Sequence, residues 1–198
     1  MNGYQTISEH AKNANIDLIV CDYEDFRDYL KWFKIFSFLN YQEQLFTDIA
    51  LTTMNEIVDI VIQSQFQDSE KVLSIFSSPT PVANTNKTLV GRMIEELNSI
   101  NIISDVNNVS GSERVPINLE TIYEQQPTII LINCHQDEDL AQNIIANALQ
   151  KNPIWNNLDA VKMNRVYYLP KELFHNKPNR RFVESYRLLF QLLYGKIE

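Results

Sequence analysis

Apolar positions along the first third of the chain recur mainly with a helical period. Phe46, Ala50, Met54, Ile57 and Val61 stand four, four, three and four residues apart, the repeat of one helix face, and the spacing predicts a long helix from about Gln42 to Ser64. Before it, Phe26, Leu30, Phe33 and Phe36 or Ser37 predict a helix from Glu24 to Leu39, with Asp22 placed to cap its start and Asn40 to end it. The short apolar run from Ile16 to Val20 reads as a buried strand ahead of that helix.

From residue 71 the pattern changes to strands alternating with helices. Lys71 to Ser77 predicts a strand, stopped by Ser78-Pro79-Thr80-Pro81 because two prolines cannot donate to a ladder, and an irregular loop runs on to Thr85-Asn86. Leu89, Met93 and Leu97 mark a helix ending near Asn98, after which Asn101 to Arg114 is a polar connection without a period. Asn118 is placed to cap a short helix to about Gln125, and Thr128 to Asn133 is the most apolar strand candidate of this half. Asp137 should cap a helix on which Leu140, Ile144 and Ala148 share a face and which breaks at Asn152-Pro153; Arg165 to Leu169 predicts another strand. The last helix has Asn179 as its expected cap, Phe182, Tyr186, Leu189 and Leu193 inside, and Gly195 past its end. The alternation predicts an α/β fold: a single lobe with a central, mostly parallel sheet and helices on both faces, preceded by a long backbone helix.

Charge and composition narrow the function. With a net charge of -8 the chain lacks the basic surface on which nucleic-acid binding depends. Its four glycines, Gly3, Gly91, Gly111 and Gly195, are too scattered to build a phosphate-cradling loop, and neither Gly-x-Ser-x-Gly nor His-Glu-x-x-His occurs. The absence of these signatures argues against an enzyme. Cys21 and Cys134 each sit in or beside an apolar run and read as buried free thiols. The first residues, Met1-Asn2-Gly3-Tyr4, carry neither a basic stretch nor an apolar leader, and no apolar run approaches the ~20 residues that span a bilayer.

Two strings carry a family resemblance. One runs Ile117-Asn118-Leu119-Glu120-Thr121-Ile122-Tyr123-Glu124-Gln125-Gln126-Pro127-Thr128-Ile129-Ile130-Leu131-Ile132; the other is Asn152-Pro153-Ile154-Trp155-Asn156-Asn157-Leu158-Asp159-Ala160-Val161-Lys162, followed by Arg165-Val166-Tyr167-Tyr168-Leu169-Pro170. In order and spacing they resemble the carboxy-terminal lobe of the substrate-binding proteins of ATP-driven (ABC) importers for siderophores, heme and cobalamin. The resemblance divides the chain into residues 1–40, a strand and helix remaining from a first lobe; residues 41–67, the interlobe helix; and residues 68–198, the carboxy-terminal lobe. It implies a protein that acts outside the cytoplasm beside an ABC permease, carries heme or a ferric siderophore as transported ligand, and holds no cofactor of its own. The rest of the first lobe is missing from this chain, and with Met1 as the start and no leader behind it the expected location becomes cytoplasmic.

The resemblance also assigns roles to residues, each with an ordinary structural alternative. Glu120 matches the acid that meets a permease arginine; equally, an acid in a first helical turn is stabilised by the helix dipole. His135, after the strand and before the Asp137 helix, matches a loop histidine that ligates heme iron in some members, against the ordinary reading of a solvated loop residue. His175 lies in a second loop that the family directs at ligand. There Arg180 and Arg181 are placed to pair with carboxylates and Phe174 to lie against a flat ligand; the alternative is a basic cap on a polar loop. Trp155, Tyr167 and Tyr168 read as packing, and His10 carries no functional expectation. A competing reading makes the chain an interaction module that binds no chelate. The unpaired strand at Ile16 to Val20 and the phenylalanines of the next helix predict a homodimer through residues 14–60.

Overall fold

The computed structural model describes residues 2–21, 24–103, 111–175 and 177–196, without the side chains of residues 2–4. Its sheet contains β1 (Lys71–Ser77), β2 (Val82–Asn84), β3 (Ile100–Asn101), β4 (Arg114–Pro116), β5 (Ile129–Cys134) and β6 (Val166–Leu169). The order is β4-β2-β1-β5-β6, with β3 also on β1. β1 runs parallel to β5 from Val72 opposite Ile129 to Ser77 opposite Cys134, and β5 runs parallel to β6 with Ile130 opposite Val166. β3 is parallel to the start of β1, whereas β2 is antiparallel to its end and β4 antiparallel to β2.

Alternation along β1 and β5 divides the core in two. Val72, Ile129 and Leu131 point to one face, where they meet the helices Leu89–Glu96 and Phe182–Tyr194 and the buried Phe26, Ile57 and Ile60 of the first two long helices. Leu73, Ile75, Ile130 and Ile132 point to the other face and meet Ile122, Ile145, Trp155 and Leu158. Covering on both faces explains why β5 is apolar at nearly every position. The helical run that precedes the sheet consists of Glu43–Leu45, a π-helical stretch Phe46–Leu51, and Thr52–Ser64. It packs against Phe182–Tyr194, with Arg187 Nη2 at 3.1 Å from Glu56 Oε2.

Several expectations need correction. Residues 16–20 form no strand: they are irregular and exposed, Ile16 at 62% and Ile19 at 60%, and Cys21 beside them is exposed too. Among the described residues no strand lies beside them to pair with, and their apolar character alone does not make them β. Asp22 lies outside the described residues; the helix Phe26–Leu39 is capped by Asp25, whose carboxylate accepts from Arg27 N at 2.9 Å and Asp28 N at 3.1 Å. Asn2–Asn13 form a helix that the pattern did not indicate. β2, β3 and β4 fall in stretches read as irregular, because two or three residues are too few to show a period. Asn179 opens a 3-10 turn, Asn179–Arg181, and the last helix proper starts at Phe182.

Candidate functional site

β1, β5 and β6 are parallel, so their carboxyl ends share one rim of the sheet. β1 is also where the strand order reverses: β3 lies on one side of it and β5 on the other. In open α/β sheets the crevice outside the strand ends at such a point is where ligands bind.

Three rings converge there. Phe76 is the penultimate residue of β1, His135 follows the last residue of β5, and His175 ends the helix Lys171–Phe174 that follows β6. The ring centroids lie 5.9 Å apart for Phe76 and His135, 5.7 Å for Phe76 and His175, and 5.5 Å for the two histidines. The guanidinium carbon of Arg114, on β4, stands 4.4 Å from the Phe76 centroid, a cation–π contact. Lys171 Nζ bonds Asp137 Oδ1 at 2.7 Å, linking the loop of one histidine to the helix of the other. The Asp137 side chain makes no capping bond to its own helix, contrary to expectation.

Beneath the rings is a buried amide network. Asn84 Nδ2 donates to Ser74 Oγ and to Asn133 Oδ1, both at 2.8 Å, while Arg114 Nε donates to Asn84 Oδ1 at 3.2 Å. Ser74, Asn84 and Asn133 are almost fully enclosed, so the network holds Arg114 over Phe76 from inside the fold. The cleft beside it has a volume of about 160 Å³ and is lined in part by His175, Phe174, Asn133, Arg114, Lys87 and Lys177. His135 reaches it through its ring contact with His175. Gln136 Oε1 is buried next to His135 and has no donor among the described residues. Pockets that enclose a whole small molecule run to about 300 Å³ or more, and this cleft is about half that size. A larger groove of about 410 Å³, between the helices Phe26–Leu39 and Thr52–Ser64, is apolar and has no histidine in its lining.

The other expected site residues are placed differently. Phe174 borders the cleft but is 2% exposed and packed into the core, so the ring presented at the rim is that of Phe76. Arg181 is engaged by Glu184 through Nε to Oε1 at 3.0 Å and Nη2 to Oε2 at 2.7 Å, and neither Arg180 nor Arg181 lines the cleft. The cations that do line it are Lys87, Arg114 and Lys177. Glu120 is exposed in the first turn of Leu119–Gln125, with Asn118 capping that turn. Trp155 is buried packing, and Tyr167 and Tyr168 pack against the two cores. Phe76 was legible only as the end of an apolar strand, and Arg114 only as the end of a polar connection.

Burial holds the His175 imidazole below its ordinary value of 6.5, and the neighbouring His135 and Arg114 push in the same direction. A histidine with a folded value below its unfolded one binds fewer protons in the native state, so stability falls as pH drops through and below about 6.5. We expect the His175 ring to titrate by NMR with a midpoint under 6.5, rising part of the way back in His135→Ala. An unchanged midpoint in that variant would show that the two rings do not interact. Among the described residues no three His, Cys, Asp or Glu side chains gather as a metal site, and the chemistry offered is two imidazoles, an aromatic face and the cations Lys87, Arg114 and Lys177.

An α/β lobe with its polar and aromatic groups at the switch point defines a ligand-binding module. The periplasmic binding protein family matches residues 43–173, and the chain belongs to it: a family of extracytoplasmic substrate-binding proteins, not enzymes. The fold is similar to an ABC transporter substrate-binding protein from Listeria monocytogenes EGD-e, at 20% identity and a TM-score of 0.81 over 97% of this chain and 73% of that one. It is also similar to S. aureus IsdE complexed with heme, at 20% identity and a TM-score of 0.78 over 93% and 70% of the two chains. A third similar structure is the periplasmic heme-binding protein RhuT from Roseiflexus sp. RS-1, at 17% identity and a TM-score of 0.76 over 94% and 70%. None of the curated proteins matches the chain.

Proposed function

We propose that this protein captures an iron chelate, heme or a ferric siderophore, at the rim formed by β1, β5 and β6 and presents it to an ABC permease outside the cytoplasm. The observation that carries the reading is the convergence of His135 and His175 at 5.5 Å beside Phe76, with Arg114 stacked on that ring. An imidazole supplies a ligand for iron, an aromatic face accepts a flat macrocycle or catecholate, and the surrounding cations pair with carboxylates. His135 is the iron ligand in this reading. Residues 68–198 act as the carboxy-terminal lobe, residues 41–67 as the helix joining it to a first lobe, and residues 1–40 as part of that first lobe. Glu120, exposed and outside the cleft, is the docking acid for a permease arginine.

Titration with hemin tests the proposal. A Soret shift on binding is expected, lost in His135→Ala, with affinity reduced about tenfold in Arg114→Ala, equivalent to about 1.4 kcal/mol. No spectral change with hemin, together with no quenching of tryptophan fluorescence by ferric siderophores, would sink it. A second reading, an interaction module that binds no chelate, is favoured by one observation. Apart from Ile100, Tyr123, Leu140 and Met163, every large apolar side chain described as exposed lies between Ile7 and Phe66.

A further inference from the structure

The two histidines at the rim are held as a pair, and a pair narrows the cargo. Phe76 stands at 24° to the plane of His135 and at 24° to that of His175, and the 2.7 Å bond from Lys171 to Asp137 ties together the segments that carry them. A metal bonds an imidazole nitrogen at about 2.1 Å and so sits roughly 3.2 Å from the ring centre, which sets the centres of two imidazoles on one ion roughly 4.5 Å apart as neighbouring ligands and roughly 6.4 Å apart as opposite ones. The observed separation of 5.5 Å lies inside that range. Both histidines are exposed, so a modest side-chain rotation brings them onto a shared ion as neighbours.

Two protein nitrogens do not hold a bare ion, and among the described residues no third His, Cys, Asp or Glu joins them as a metal site. The remaining donors must therefore arrive with the metal. Heme brings four in a plane and leaves one open position on each face; a single lobe meets one face, so heme takes one of these histidines and not the other. A chelator with six donor atoms leaves no position open. Both imidazoles are used when the chelator has four donor atoms, because an octahedral ferric ion then keeps two adjacent positions, filled by water in solution. We propose, resting on the chelate-capture reading above, that the cargo is a ferric chelate of the bis-catecholate class, and that His135 and His175 together replace its two water ligands. Two iron–oxygen bonds to water break and two iron–nitrogen bonds form; the imidazoles bind as neutral donors, the waters leave intact and the iron stays ferric.

Charge agrees with this class. Four catecholate oxygens leave the ferric complex with a single negative charge, whereas two hydroxamates would leave it positive. The cleft sets Lys87, Arg114 and Lys177 against Glu24 and Glu113, a surplus of one cation. Both acids already face arginines: Glu24 is paired with Arg92, and Glu113 Oε2 lies 3.6 Å from Arg114 Nη1. The cations are thus placed for the catecholate oxygens, and the Phe76 ring for a catechol face.

The whole chain, titrated with the ferric complexes of a bis-catecholamide on a butane spacer and of a tris-catecholamide, tests this. The bis-catecholamide complex should shift its charge-transfer band as nitrogen replaces water, and should lose about 10–100-fold in affinity in His135→Ala and in His175→Ala alike. The tris-catecholamide complex, whose iron is already saturated, should lose clearly less in His175→Ala. Pulsed electron paramagnetic resonance of the bound ferric ion should show two imidazole nitrogens in the parent and one in each variant, a signature that a histidine acting only in packing would not give. A single nitrogen in the parent, or equal losses for the two complexes in His175→Ala, overturns the inference and leaves chelate capture standing. Binding of neither complex nor of hemin overturns both.

Discussion

Replacing Gly91 by alanine is expected to destabilise the fold by about 3 kcal/mol, the upper part of the range for overpacking. A Cβ built at Gly91 lies 2.1 Å from the carbonyl oxygen of Thr85, 2.8 Å from its carbonyl carbon and 2.9 Å from Asn86 Cα. All three are backbone atoms, so no side-chain rotation relieves the clash. Thr85 cannot retreat freely, because its N–H donates to Glu113 O at 2.9 Å and its hydroxyl to Ser112 O at 2.8 Å. Those bonds join it to the chain entering β4, so strain at Gly91 should also shift Arg114 and weaken ligand binding. Urea denaturation of Gly91→Ala measures the first effect. A stability within about 0.5 kcal/mol of the parent, the usual bound for neutral surface changes, would show that the helix moves aside without cost.

Asn84→Leu should have an effect of similar size by a different route. It removes the two donors that satisfy Ser74 and Asn133 and the acceptor that holds Arg114, leaving buried polar groups unpaired at about 1–3 kcal/mol each. We expect a loss of about 3–4 kcal/mol, along with ligand affinity, since Arg114 loses its anchor above Phe76. The diagnostic is coupling: Asn84→Leu with Asn133→Leu should cost clearly less than the sum of the single changes, because the second removes a partner that the first has already stranded. Strict additivity would mean that the network is not one unit.

Both variants test contacts between residues far apart in the chain, and the candidate site is built in the same way. His135 and His175 were identifiable separately, each from a loop position that the family resemblance directs at ligand. Nothing in their spacing put them beside each other. They meet because β5 and β6 are parallel neighbours whose following loops leave from the same rim, with Lys171 and Asp137 tying those loops together. Phe76 came with β1, while Arg114 joined it through β2 and β4, strands of three residues each, which carry no periodic signal.

By itself the sequence determined the long helices, the strands β1, β5 and β6, and the α/β class, because residues that bury one or both faces repeat with the period of the element they form. It also determined local endings such as Asn118 capping its helix and Gly195 closing the last one, since these rest on bonds and backbone angles within a few residues. Only the tertiary structure decided that Ile16–Val20 stay exposed while equally apolar strands are buried. A strand exists by virtue of its neighbours, and among the described residues none lies beside that segment. The same dependence on partners placed Arg114 at the rim, over Phe76, whereas the local i,i+3 pair with Glu184 engages Arg181.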